Sequence, residues 1–194
     1  MERVGVFYAT REGQARKVAE RVAAALTLRG LTVAVHEVRD EEAVAALDRS
    51  EATVLVASVH LGKHEREMTA FVRTHRARLD ALPGAFLSVC GAEAGFENGA
   101  TSEQRASAAK HVADQMHAFT EATGWHPRHV RPVAGAYVFT HYNPLVRWVM
   151  KKIAQYEGLP TDRDYEFTDW LALDDFARTL ADELHEPHAG AASP

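Results

Sequence analysis

The segment Ala9-Thr10-Arg11-Glu12-Gly13-Gln14-Ala15-Arg16 joins an apolar run, Val4–Tyr8, directly to a stretch of helical period. Such a turn aims several backbone N–H groups and the positive end of a helix dipole at one point, which makes an anion site whose natural guest is phosphate. The segment has neither the GxGxxG of dinucleotide-binding folds nor the GxxxxGK[ST] of P-loops. Phe7-Tyr8 also lacks the acidic residues that a receiver domain places at the end of its first strand. Taken alone, the turn fits an ordinary βα connection that binds nothing equally well.

Other residues of chemical interest are weaker signals. Cys90 is the only cysteine; without a CxxC partner it reads as a packing residue at the end of a buried strand. A single cysteine also excludes an intrachain disulfide and a multi-cysteine zinc site, and it suits a reducing, cytoplasmic setting. His60 and His64 stand four residues apart beside Glu65. No further ligand motif accompanies them, so they read as polar residues on a loop and helix start, and no metal site is expected. No side chain is singled out as a catalytic acid or base.

These residues must be positioned by the elements around them. Short apolar runs near Val4–Tyr8, Thr32–Val38, Thr53–Ser58, Ala85–Cys90 and Val130–Ala136 read as strands. Helical stripes alternate with them: Val18, Val22, Ala25 and Leu26, closed by Gly30; Met68, Phe71, Val72, His75 and Leu79; Ala109, Val112, Met116 and Phe119. A last stripe, Leu173, Phe176, Ala177, Leu180 and Leu184, follows Thr168-Asp169 as its N-cap. That alternation predicts an α/β fold with a parallel sheet covered on both faces. With 194 residues, 46% of them hydrophobic, the chain suffices for one domain over 1–186, with 187–194, rich in Gly, Pro and small residues, as a disordered tail. A formal charge of −5 offers no positive field for nucleic acid. The opening residues carry no leader pattern, and no apolar run is long enough to span a bilayer.

Between the fifth strand and the last helix lies an insertion, about 138–165. As a helix, Leu145, Val146, Val149, Met150, Ile153 and Tyr156 would form one face, with Arg147, Trp148, Lys151 and Lys152 on the other. Two readings stand: a helix covering the sheet edge, or a peripheral contact of 144–156 with a membrane surface. Phe139, His141 and Tyr142 either wall a site for a macrocycle or quinone or pack the insertion onto the core.

The run Phe7-Tyr8-Ala9-Thr10-Arg11-Glu12-Gly13-Gln14 resembles the opening of the flavodoxin-type, menaquinone-dependent protoporphyrinogen oxidases of bacteria. The resemblance continues in Ala57-Ser58-Val59-His60-Leu61-Gly62-Lys63-His64, in Gly135-Ala136-Tyr137, and in Tyr165-Glu166-Phe167-Thr168-Asp169-Trp170. It implies a flavodoxin-like three-layer sandwich with a five-stranded parallel sheet, order 2-1-3-4-5, and a helical insertion before the last helix. It also implies an FMN-dependent oxidoreductase that oxidises protoporphyrinogen IX in heme biosynthesis with a quinone as acceptor, cytoplasmic and at most peripheral at the inner membrane face. Its partners would be small molecules, with no oligomeric state specified.

By the same resemblance, Thr10, Arg11, Glu12, Gly13, Gln14 and Ala15 cradle the FMN phosphate. Ser58, Val59, His60, Leu61 and Gly62, through Lys63, flank the ring from one side, and Cys90, Gly91, Ala92, Glu93 and Gly95 from the other. The small residues of the second segment let backbone approach a flat ring, where peptide groups tune its redox states. Ala9 and Ala15 stand where the family often has Ser and Thr, which removes two hydroxyl donors worth ~1 kcal/mol each. Two alternatives share the fold: an electron carrier or quinone reductase without porphyrin activity, and a flavin-free interaction module.

Overall fold

Segments apolar at nearly every position become the central strands, because both of their faces are covered. In the computed structural model, which describes residues 3–91, 101–137, 148, 152 and 165–186, these are β1 (Arg3–Ala9), β3 (Ala52–His60) and β5 (Gly84–Cys90). The edges are β2 (Thr32–Glu37) and β6 (His129–Ala134), giving the parallel order β2-β1-β3-β5-β6. This is the expected 2-1-3-4-5 arrangement.

Alternation along the strands builds two cores. Val4 and Val6 of β1, Val54 and Val56 of β3, and Ala85, Leu87 and Val89 of β5 share one cluster with α1 (Gln14–Leu28) and the last helix, α5 (Trp170–His185). The intervening Phe7, Leu55 and Phe86 join the other, with α2 (Ala43–Arg49), α3 (Arg66–Asp80) and Phe119 of α4 (Ser102–Thr123). Helix α2 had gone unread in the sequence although Ala43, Ala46 and Leu47, all buried, follow helical spacing.

Two details differ from expectation. The third strand does not end at Ser58: it runs to His60, turns at Leu61-Gly62, and returns antiparallel as β4 (Lys63–His64), with Val59 opposite His64. Both turn residues have positive φ, 49° at Leu61 and 77° at Gly62, the geometry of a tight hairpin turn whose twist matches its strands. His60 and His64 are therefore hairpin residues, not a loop and a helix start. The last strand stops at Ala134 rather than Ala136, the Gly135 N–H to the Cys90 carbonyl at 3.0 Å being the final bond of its ladder with β5.

After Gly135 the chain pairs as β7 (Ala136–Tyr137) with β8 (Tyr165–Glu166), antiparallel, Tyr137 opposite Tyr165. This two-stranded ribbon ties together both ends of the insertion. Most of the insertion, with Phe139, His141 and Tyr142, lies outside the described residues, as do Ala92, Glu93, Gly95 and the tail from 187. Within it, Trp148 and Lys152 are helical and exposed, as the polar face requires.

Candidate functional site

The β1–α1 turn ends on Gly13, which serves as the N-cap of α1 at φ 88°, where an added side chain would be strained. No side chain caps the helix, and its first turn holds no acidic residue. The first intrahelical bond of this end is Lys17 N–H to the Gly13 carbonyl at 3.1 Å. The amides of Gln14, Ala15 and Arg16 therefore have no intrahelical acceptor, and they sit at the positive end of the dipole. The geometry suits an anion.

Three consecutive residues of this turn reach the β3–β4 hairpin. Thr10 Oγ1 lies 3.2 Å from Ser58 Oγ and also accepts the Gly13 N–H at 3.0 Å, which shapes the turn. Arg11 Nε donates to Glu65 Oε2 at 3.1 Å, and Glu12 Oε1 lies 3.4 Å from His60 Nδ1. The two segments that the sequence assigned to phosphate and ring are thus tied to one another. Leu61, at the hairpin tip, is 87% exposed, an apolar side chain held in a backbone conformation that costs a non-glycine residue about 1 kcal/mol or more.

The Gln14 side chain ties the turn to the rest of the fold. Its side chain is buried, and Nε2 donates to Thr168 Oγ1 at 2.8 Å while that hydroxyl donates to the Ala134 carbonyl at 2.7 Å. Asp169 caps α5 by accepting the Ala172 N–H at 2.9 Å. The first turn, the end of β6 and the start of α5 are locked into one unit. Ala15 is fully buried in the α1–α5 core, and Ala9 is buried in the other. Cys90 is buried as well, at the end of β5 beside Gly91.

Glu65 and His64, read in the sequence only as polar residues beside one another, have surroundings that their spacing does not reveal. Glu65 is 4% exposed, and its Oε1 is buried with no hydrogen-bond partner, an acceptor left for a donor. It borders a hollow of about 270 Å³ with Thr10, Arg11 and Arg39. His64 sits between the rings of Phe86 and Phe119, at 5.2 and 4.9 Å, with Nε2 2.8 Å from Ser88 Oγ. Burial pushes its imidazole down to about 4, so it is neutral at pH 7. Their partners are 54 and 24 residues away, which no spacing rule reveals.

Among the described residues no helix is long and apolar enough to cross a membrane. The profile of the flavodoxin domain family matches residues 5–164. The chain is 28% identical over 187 residues to protoporphyrinogen IX dehydrogenase [quinone] of Escherichia coli strain K12, covering 94% of this chain and 96% of that protein. It is 26% identical to the protein of the same name from Leishmania major, covering 91% of this chain and 73% of that protein. Among solved structures, a short-chain flavodoxin of a bacterial microcompartment superposes with a TM-score of 0.54 at 18% identity, covering 94% of this chain and 99% of that one.

Proposed function

The chain belongs to the flavodoxin domain family, and from that premise we propose that it is an FMN-dependent oxidoreductase that oxidises protoporphyrinogen IX and delivers the electrons to a quinone. The observation that carries the FMN assignment is the uncapped, acid-free start of α1 at the carboxyl ends of β1 and β3. Strand order reverses there, and open α/β sheets bind ligands at such a point. The names of the relatives from Escherichia coli and Leishmania major support the substrate pair.

When bound, FMN supplies the hydride-accepting chemistry. The protein's part is to bind and orient. Backbone amides of the first turn of α1, with Arg11 beside them, hold the phosphate, and Gly13 gives it close approach. Glu65 Oε1 offers an acceptor suited to a ribityl hydroxyl. Ser58, His60 and Leu61 form the wall along the ring, kept in register with the phosphate turn by the Thr10, Arg11 and Glu12 tethers. Leu61 covers apolar ring surface that would otherwise face water.

The test is a visible spectrum of purified protein before and after adding FMN, with the released pigment identified, followed by anaerobic incubation with protoporphyrinogen IX and a menaquinone analogue. Flavin absorbance and growth of porphyrin fluorescence with consumption of the quinone are expected. A flavin-loaded protein that reduces quinones from other donors but leaves protoporphyrinogen untouched would replace the porphyrin assignment with the carrier or quinone-reductase reading. A colourless protein that takes up no FMN would end both.

A further inference from the structure

Between α3 and α4, bordered by the β4 hairpin, lies a cavity of about 500 Å³, within the ~300–1,000 Å³ typical of small-molecule sites. Ala70 of α3 and Ala118, Phe119 and Ala122 of α4 give it an apolar lining in which small side chains leave the space open. Lys63, Arg66 and Arg73 also line it, and among the described residues no aspartate or glutamate does. In a chain of formal charge −5, that is a local reversal of sign.

The cations are poorly satisfied by the protein. Arg66 meets Glu67 at 3.2 Å but remains 90% exposed. Among the described residues Lys63 and Arg73 have no ion-pair partner. Arg66 and Arg73 lie on one face of α3, two turns or ~10 Å apart. Gln115 borders the same cavity, and its Oε1 is buried with no hydrogen-bond partner. Like-charged side chains gathered around an apolar hollow, beside an orphaned acceptor, describe a complement: a flat apolar body that carries separated carboxylates and a donor.

We propose that this cleft seats a planar, apolar dicarboxylate, its ring against Phe119 and the alanines and its carboxylates on Lys63, Arg66 and Arg73. Identifying that molecule as the oxidised tetrapyrrole, protoporphyrin IX, whose conjugated ring is planar and whose two propionates meet this description, rests on the function proposed above. Gly62, Lys63 and His64 border the cleft and belong to the hairpin assigned to the flavin ring, so one hairpin serves both sites.

The test uses the full-length, FMN-loaded protein and mesoporphyrin IX, a redox-stable planar diacid, titrated by quenching of tryptophan fluorescence. Its dimethyl ester and laurate, a flexible monoacid, run in parallel. Arg73→Glu is expected to weaken diacid binding about tenfold or more, Arg73→Lys to restore most of it, and Ala118→Trp to abolish it, all with unchanged FMN content. The ester should bind wild type more weakly than the diacid and be insensitive to Arg73→Glu, and laurate should not compete. Equal diacid binding by wild type, Arg73→Glu and Ala118→Trp, or none by wild type, overturns the inference and leaves the FMN assignment standing. Displacement by laurate at equal concentration overturns the planar diacid in favour of an acyl chain. Mesoporphyrin binding that obeys the variants, in a protein that does not oxidise protoporphyrinogen, upholds the cleft and removes the reaction proposed above.

Discussion

The two helical layers of the sheet are closed in different ways. On the α1–α5 side three ion pairs run from α1 to α5 or to β8 just before it, beside the intrahelical pairs Arg16–Glu20 and Arg178–Asp175: Arg21 Nε meets Asp174 at 2.7 Å, Lys17 meets Glu166 at 3.2 Å and Arg29 meets Asp182 at 3.5 Å. Beneath them Leu26, Leu173 and Leu180 are buried. On the other side Arg76–Asp80 and Lys110–Asp114 stay within a single helix, and the facing surfaces of α3 and α4 enclose a cavity edged by cations. Surface pairs add little stability individually, so what differs is complementarity. The groove of about 310 Å³ between α1 and α5 is edged by Asp174 and Asp175 as well as by Arg21, Arg29 and Arg178, so that layer supplies its cations with partners, and the other is left for a guest.

The comparison can be broken at four places. The largest effect is expected from Leu26→Ala in the closed layer, where no space remains at a fully buried side chain; unfolding in urea should show a loss of ~2–5 kcal/mol. Next comes pH on the open side. His64 titrates near 4 when folded against an ordinary 6.5. Above 6.5 both states are neutral at this position and stability is unaffected. As pH falls from 6.5 toward 4 only the unfolded chain takes up the proton, so stability drops by up to ~3 kcal/mol and then levels off. Urea midpoints at pH 7 and pH 5 should therefore diverge more in wild type than in His64→Gln.

Third, Thr168→Val removes the hydroxyl that receives the buried Gln14 amide and should cost ~1–3 kcal/mol through the stranded donor, with FMN affinity reduced as the start of α1 loosens; unfolding and flavin titration measure the two. The smallest effect should come from Ala118→Leu, which adds volume in the open cleft. A change within ~0.5 kcal/mol is expected, whereas the same enlargement at fully buried Ala19 of α1 should cost ~1–3 kcal/mol. Equal losses at the two alanines would erase the distinction between the layers.

The strands and amphipathic helices were legible because burial on one or both faces writes a period into the sequence. Val4, Val6, Val54 and Val56 report one layer and Phe7 and Leu55 the other. The β1–α1 turn was legible too, since its geometry is local: a glycine at positive φ followed by an uncapped helix. The hairpin was misread as a loop because β4 is only two residues long and its turn uses Leu61 where Asn or Gly is usual. The Glu65 partner of Arg11, the Ser88 partner of His64 and the Thr168 partner of Gln14 escaped because side-chain contacts between distant segments leave no period.

The ribbon that pairs Tyr137 with Tyr165 holds the two ends of the intervening segment side by side. Antiparallel neighbours can be joined by a two-residue turn, so an Asn-Gly bridge in place of 138–164 fits the ribbon's own geometry. A protein shortened this way would separate what the sheet and its turns hold from what the 138–164 segment adds.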